Sequence, residues 1–237
     1  MIRTTVVLAA AALAVPAAAA DVQVTSQGPV VELSVTETVK AKPDIADVSA
    51  GVTTQGATAV EAMQRNANAM DAVIKRIKAL GIAAEDIQTT GINLGAQYDY
   101  DQATQRQVFR GYQASNRVSV TLRDVKRTGP VLDALVAAGA TDIGGPSFSI
   151  DDDTAPRAQA RKAAFEKAQA QAGEYARWAG YTGVRLLSIS EAVNPGRPMP
   201  YAERGMVATA MDAKASPVEP GLVGTSVTVS VTFEMTR

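Results

Sequence analysis

The residues best placed to do chemistry are Asp151, Asp152 and Asp153, three consecutive carboxylates. Oxygen donors of this kind suit a hard cation such as Ca²⁺ or Mg²⁺. A metal-dependent hydrolase or lyase built on Asp151–Asp153 is the enzymatic reading the chain offers. The spacing is not that of an EF-hand loop, which needs a central glycine and a distal Glu. Acidic residues ahead of a helix also have a plainer use: they cap its first turn and complement the positive end of its dipole. The rest of the catalytic inventory is short. The 237 residues contain no cysteine and no histidine. Thiol nucleophiles, imidazole general bases, disulfides and Cys-bearing zinc sites are thereby excluded. Direct thiol or haem peroxidase chemistry goes with them. No G-x-S-x-G elbow, S-x-x-K acylation motif or Gly-rich phosphate loop is present. No catalytic, cofactor-binding or metal residue is assigned, and a non-enzymatic role is expected.

Three further groups could act by binding. Tyr98, Tyr100, Phe109 and Tyr112 cluster around a segment, Tyr98–Gln107, that reads as a long polar hairpin tip. Amphipathic aromatics suit the centre of an interface, and they suit cross-strand pairing within the hairpin equally well. Met199, Met206 and Met211, near Tyr201, lie in a Pro-rich excursion over Asn194–Gly224. Exposed methionine is a reversible oxidant sink and a soft Cu(I) ligand, whereas buried methionine fills irregular packing. Lys75, Arg76, Lys78, Arg157, Arg161 and Lys162 read as solvated helix faces with i,i+4 partners rather than as a lipid-binding patch.

These groups need a scaffold and a compartment. Met1-Ile2-Arg3 is a short positive region, Thr4–Val15 an apolar run, and Ala18-Ala19-Ala20 a small-residue cleavage site. That order predicts a signal peptide over residues 1–20. The apolar run is shorter than the roughly 18 residues a spanning helix needs, so no membrane span is expected after cleavage. The destination is the periplasm, with outer-membrane association or release to the medium as extensions of it. With 23 Lys+Arg against 24 Asp+Glu, the chain lacks the basic face that a nucleic-acid partner requires.

Strands announce themselves by alternation: Val31, Leu33 and Val35; Val48, Ala50 and Val52; Val118, Val120 and Leu122; and Val227, Val229, Val231, Phe233 and Met235. Helices are expected from Thr58-Ala-Val-Glu61, a capping box, to Gly81; from Asp124 to about Gly139, starting late or kinked at Pro130; and from Asp153 or Thr154 to about Gly180. The first presents Met63, Ala67, Met70, Val73, Ile74 and Ile77 on one stripe. A weak repeat joins the halves: helix, Gly81, turn, strand, then helix, Gly139, turn, strand. The order β-β-α-β-β-α-β-α-β-β predicts an α+β fold, with mixed or antiparallel sheets and three main helices packed on one face. Two plait-like subdomains, about 29–122 and 123–237, are one way to divide it.

Several segments, in order, resemble the SIMPL-domain family. They are Lys42-Pro43-Asp44-Ile45-Ala46 with Gly51-Val52, Gly81-Ile82 leading to Glu85-Asp86-Ile87-Gln88-Thr89, and Tyr112–Val120. The Arg- and Ala-rich helix from Ala158 and Pro217–Gly221 with Val227–Val231 complete the set. The resemblance spans 29–237. Leu222 departs from it, where many members carry a polar residue. It implies an exported protein of the kind known as YggE-like oxidative-stress proteins or periplasmic immunogenic proteins, and it supplies no catalytic motif. The expectation is a cell-envelope protein that acts by binding, through self-association or an unidentified periplasmic partner. A homo-oligomeric structural protein is the alternative, since one-sided strands and a long hairpin permit edge pairing.

Overall fold

The alternating runs do form strands, and their order along the chain is the one the patterning predicts. The computed structural model describes residues 26–193 and 216–237. The elements are β1 (Val30–Ala41), β2 (Ile45–Gly56), α1 (Ala59–Ala79), β3 (Ile87–Asp101), β4 (Arg106–Leu122), α2 (Thr128–Ala137), β5 (Asp142–Ser149), α3 (Thr154–Trp178), β6 (Gly183–Val193) and β7 (Val223–Thr236). The expected signal peptide and Met199, Tyr201, Met206 and Met211 lie outside the described residues.

Two antiparallel sheets make an α+β fold. The four-stranded sheet has the order β3-β4-β2-β5. It is built from two strand–helix–strand halves, β2-α1-β3 and β4-α2-β5, whose first strands lie side by side in the middle. That is the split βαβ plait. The weak sequence repeat is this internal symmetry. Each helix ends at a glycine in the left-handed region, Gly81 at φ 82° and Gly139 at φ 100°, where a Cβ is disfavoured and the chain can turn into its strand.

The three-stranded sheet has the order β1-β7-β6, so β1 pairs along its whole length with the last strand of the chain, from Val30↔Glu234 to Ala41↔Val223. The halves 29–122 and 123–237 each contribute to both sheets. The plait is instead one continuous stretch, 45–149, set between β1 and α3. The two crossings between sheets run side by side. The Asp44 N–H donates to Ser149 O at 3.1 Å, and the Asp151 N–H donates to the Asp44 carboxylate at 2.8 Å.

Each sheet is covered by helix on one face. Val48, Val52, Val118 and Val120 meet Met70, Val73 and Ile77 of α1 and Val131 and Leu135 of α2. Val35, Val227, Val229, Val231 and Phe233 meet the alanines Ala160, Ala164, Ala168 and Ala172 of α3. α1 begins with half of the predicted capping box: Thr58 Oγ1 accepts the Glu61 N–H at 3.2 Å, while the Glu61 carboxylate reaches one residue past the N-cap and accepts the Ala57 N–H at 2.9 Å. Its buried stripe is Ala62, Asn66, Met70, Val73 and Ile77, whereas Ala67 is exposed. Asn66 takes a core position because its amide nitrogen donates to Val52 O at 2.9 Å and Ala114 O at 3.1 Å, so both of its N–H groups are paired there. At Pro130 the late start is realised. A 3₁₀ turn at Val125–Arg127 precedes α2, and proline falls in the first helical turn, where its missing N–H costs nothing.

Candidate functional site

The residues expected at a hairpin tip form a paired arm. β3 and β4 pair as far as Asp101↔Arg106, leaving a short turn, whereas β2 leaves the sheet at Gly56↔Tyr112. Residues 97–111 therefore run on as a two-stranded ribbon with no third strand beside them among the described residues. A bulge marks where the arm leaves: the register moves from Gln97↔Gly111 to Tyr98↔Phe109, with Arg110 left over. Gly111 sits at φ 134°, and a Cβ there would lie 2.6 Å from Gly56 O, so only glycine fits.

Along β3 no residue is inserted after Gly91, so Ile92, Leu94, Tyr98 and Tyr100 share one face. All four are exposed, Tyr98 at 56% and Tyr100 at 62%. The rings pair across the arm and along β4. Tyr98 meets Phe109 edge to face at 5.6 Å, and Phe109 meets Tyr112 at 5.4 Å. Cross-strand pairing and an exposed aromatic surface thus coexist, because each ring touches a neighbour by its edge while its outer face stays in water. Polar contacts lock the ribbon. Arg110 Nε donates to Asp99 at 2.8 Å, and the Asp101 carboxylate accepts from Thr104 Oγ1 at 2.8 Å and the Ala103 N–H at 2.9 Å. Those bonds, the Thr104 hydroxyl first, hold the Asp101 carboxyl below its ordinary range. Among the described residues β3 is also the outer strand of its sheet, so this row lies beside backbone groups that no described strand pairs.

The three consecutive carboxylates do not converge. Asp151 faces Arg123 Nη1 at 2.7 Å. Asp152 accepts the Thr154 N–H at 3.0 Å, and its hydrogen bonds from Thr154 lower its pKa. Asp153 takes both Arg157 contacts, at 2.6 and 2.7 Å. Among the described residues no group of three acidic side chains is arranged to hold a metal ion. The motif serves the start of α3 and the sheet crossing instead. Arg123 also forks onto Asp86 at 2.9 and 3.0 Å, and its two carboxylate partners, Asp86 before Asp151, push its pKa upward.

Of the basic groups, Lys75 pairs with Asp71 and Lys162 with Glu166 at i,i+4, as solvated helix faces do. Arg161 reaches the β6 residue Glu191 at 2.5 Å. Three features were invisible as local pattern. One is Asn66. Another is the polar cleft of about 370 Å³ around the Arg117–Asp142 ion pair, where Arg117 Nη1 also reaches Ser49 Oγ at 3.2 Å. The third is Glu234, which is buried against Arg185 and accepts the Gln27 N–H at 2.7 Å. The Arg185 hydrogen bond and then the Gln27 N–H lower its pKa. Each depends on a partner far along the chain.

Comparison with known proteins covers nearly the whole chain. The model of a family described as SIMPL, protein of unknown function (DUF541), matches residues 31–233. The 26 kDa periplasmic immunogenic protein of Brucella melitensis is 34% identical over 230 residues, 94% of this chain and 92% of that protein. Its counterpart in Brucella abortus has the same identity and coverage. The uncharacterized protein YggE of Escherichia coli K12 is 30% identical over 213 residues, 90% of this chain and 83% of that protein. No described helix is long and apolar enough to cross a membrane.

Proposed function

Because the chain belongs to the SIMPL family, we propose that it is a non-enzymatic protein of the periplasm that self-associates through the outer edge of β3 and its aromatic arm. The compartment follows the Brucella relatives, which carry it in their names. One observation carries the rest: an unpaired edge strand and a free ribbon share one exposed row, Ile92, Leu94, Tyr98 and Tyr100. A two-stranded ribbon alone is marginal in water, and a long exposed apolar edge is a template for another strand. Docking a second copy would remove these side chains from water and pair the backbone of β3. Any protection against oxidants, which the family resemblance implies, is indirect on this reading, since the chain has neither thiol nor imidazole.

Size exclusion with light scattering tests it. The wild-type protein is expected as a discrete oligomer, and the Tyr98→Ser/Tyr100→Ser variant at lower mass with an unchanged circular dichroism spectrum. A monomeric wild type, or a variant of unaltered mass, would sink the assembly.

A further inference from the structure

Trp178 is the only tryptophan in the chain, and it ends the last turn of α3 with 75% of its surface exposed. Tyr175, nearly one turn earlier, is 46% exposed, and the two rings meet edge to face at 5.4 Å. The core does not use them. α3 turns Ala160, Ala164, Ala168, Ala172 and Ala176 inward, and Trp178 lies about 200° around the helix from Ala176.

Two rings on a convex helix end offer far less than the roughly 800 Å² per partner that a stable protein interface buries. The adjoining residues Glu174, Arg177, Ala179 and Gly180 are charged or small and exposed, so they add little apolar area to the two rings. A protrusion of this shape fits a soft surface better than a rigid one. Tryptophan and tyrosine rings favour the headgroup level of a bilayer, apolar body inward and polar tip in water. Long guanidinium side chains beside them reach phosphate oxygens. Arg177 adjoins Trp178. At the same end, Arg237 lies 5.5 Å over the ring of Tyr181, whose N–H is held by Ala176 O at 2.8 Å.

We propose that the C-terminal end of α3 docks on a lipid bilayer, with Trp178 and Tyr175 seated among the headgroups. This is independent of the β3 arm and rests only on the envelope location. Because Trp178 is unique, its fluorescence reports this site alone. Protein recovered from a periplasmic extract is mixed with vesicles of phosphatidylethanolamine and phosphatidylglycerol. The emission is expected to move to shorter wavelength and to become protected from acrylamide. Tyr175→Ser/Trp178→Ser is expected to lower vesicle co-sedimentation by at least about tenfold, with an unchanged melting temperature, since both side chains are exposed. Emission that vesicles leave unaltered overturns the proposal even if the chain sediments with them, because another segment then holds it there. So does a shift produced by raising protein concentration without lipid, which would mean that a second copy covers the rings. Equal sedimentation of variant and wild type overturns it as well.

Discussion

The two sheets are each covered on one face, but by opposite means. Over the four-stranded sheet the helices bring volume: Met70, Val73, Ile77, Val131 and Leu135 fill the space above Ala46, Ala50 and the valines of β2 and β4. Over the three-stranded sheet the fully buried residues of α3 are all alanine, and the sheet supplies the volume through Val227, Val229, Val231 and Phe233. An alanine face lets the helix axis lie close to the strands. Successive alanines four apart also drift by about 40° around the helix. Five of them are buried all the same, as a sheet that twists along with the helix allows. One interface therefore fails by losing atoms and the other by gaining them.

The largest effect should come from removing volume over the plait. Ile77→Ala empties a fully buried position and is expected to cost about 2–5 kcal/mol, read from the denaturant midpoint at unchanged slope. The same logic inverted applies to α3. Ala168→Leu pushes three more heavy atoms into a contact with no room and should cost about 1–3 kcal/mol, whereas Ala67→Leu, on the exposed side of α1, should change stability little. If Ala168→Leu were neutral, the close approach of α3 would be disproved.

A further substitution sharpens the contrast within α1. Asn66→Ala leaves Val52 O and Ala114 O without their side-chain donor, and is expected to cost about 1–3 kcal/mol. Slower hydrogen exchange in this part of β2 and β4 than in wild type would contradict it.

The smallest effect concerns the far end of the three-stranded sheet and depends on pH. Glu234 has its pKa lowered from an ordinary value of 4.5, by Arg185 first and then by the Gln27 N–H. A depressed carboxyl stabilises the fold above its unfolded pKa, and that contribution is lost as the pH falls through the folded value. The melting temperature of Glu234→Gln should thus lie below that of wild type at neutral pH. The two should converge as the solution is acidified below about 4.5. A constant gap down to strongly acid pH would remove Glu234 as the cause.

Much of the scaffold was legible because it is local. Thr58 and Glu61 cap α1, and Gly81 and Gly139 end helices where only a left-handed residue serves. Val227 to Phe233 alternate because one face of β7 is buried and the other is not. The arm was half legible. Its aromatics are evident in the sequence and Tyr98–Gln107 reads as a polar hairpin tip, but the pairing as far as Asp101↔Arg106 and the Tyr98–Phe109 contact are cross-strand facts. Hydrophobicity ranks Ala67 above Asn66, whereas the core ranks a position by whether its polar atoms find partners.

The amino-acid sequence by itself determined the elements, their order, the helix boundaries and the family, since these follow from periodicity, capping chemistry and residue type over short spans. Only the tertiary structure decided that β1 pairs with β7 around an intervening plait. It alone dispersed Asp151, Asp152 and Asp153 to separate partners, and it alone left Trp178 in water while alanines filled the core. Those outcomes depend on which distant surface each side chain meets. Pairing of that range is settled by the burial and hydrogen-bond satisfaction of the whole chain at once, which no local window contains.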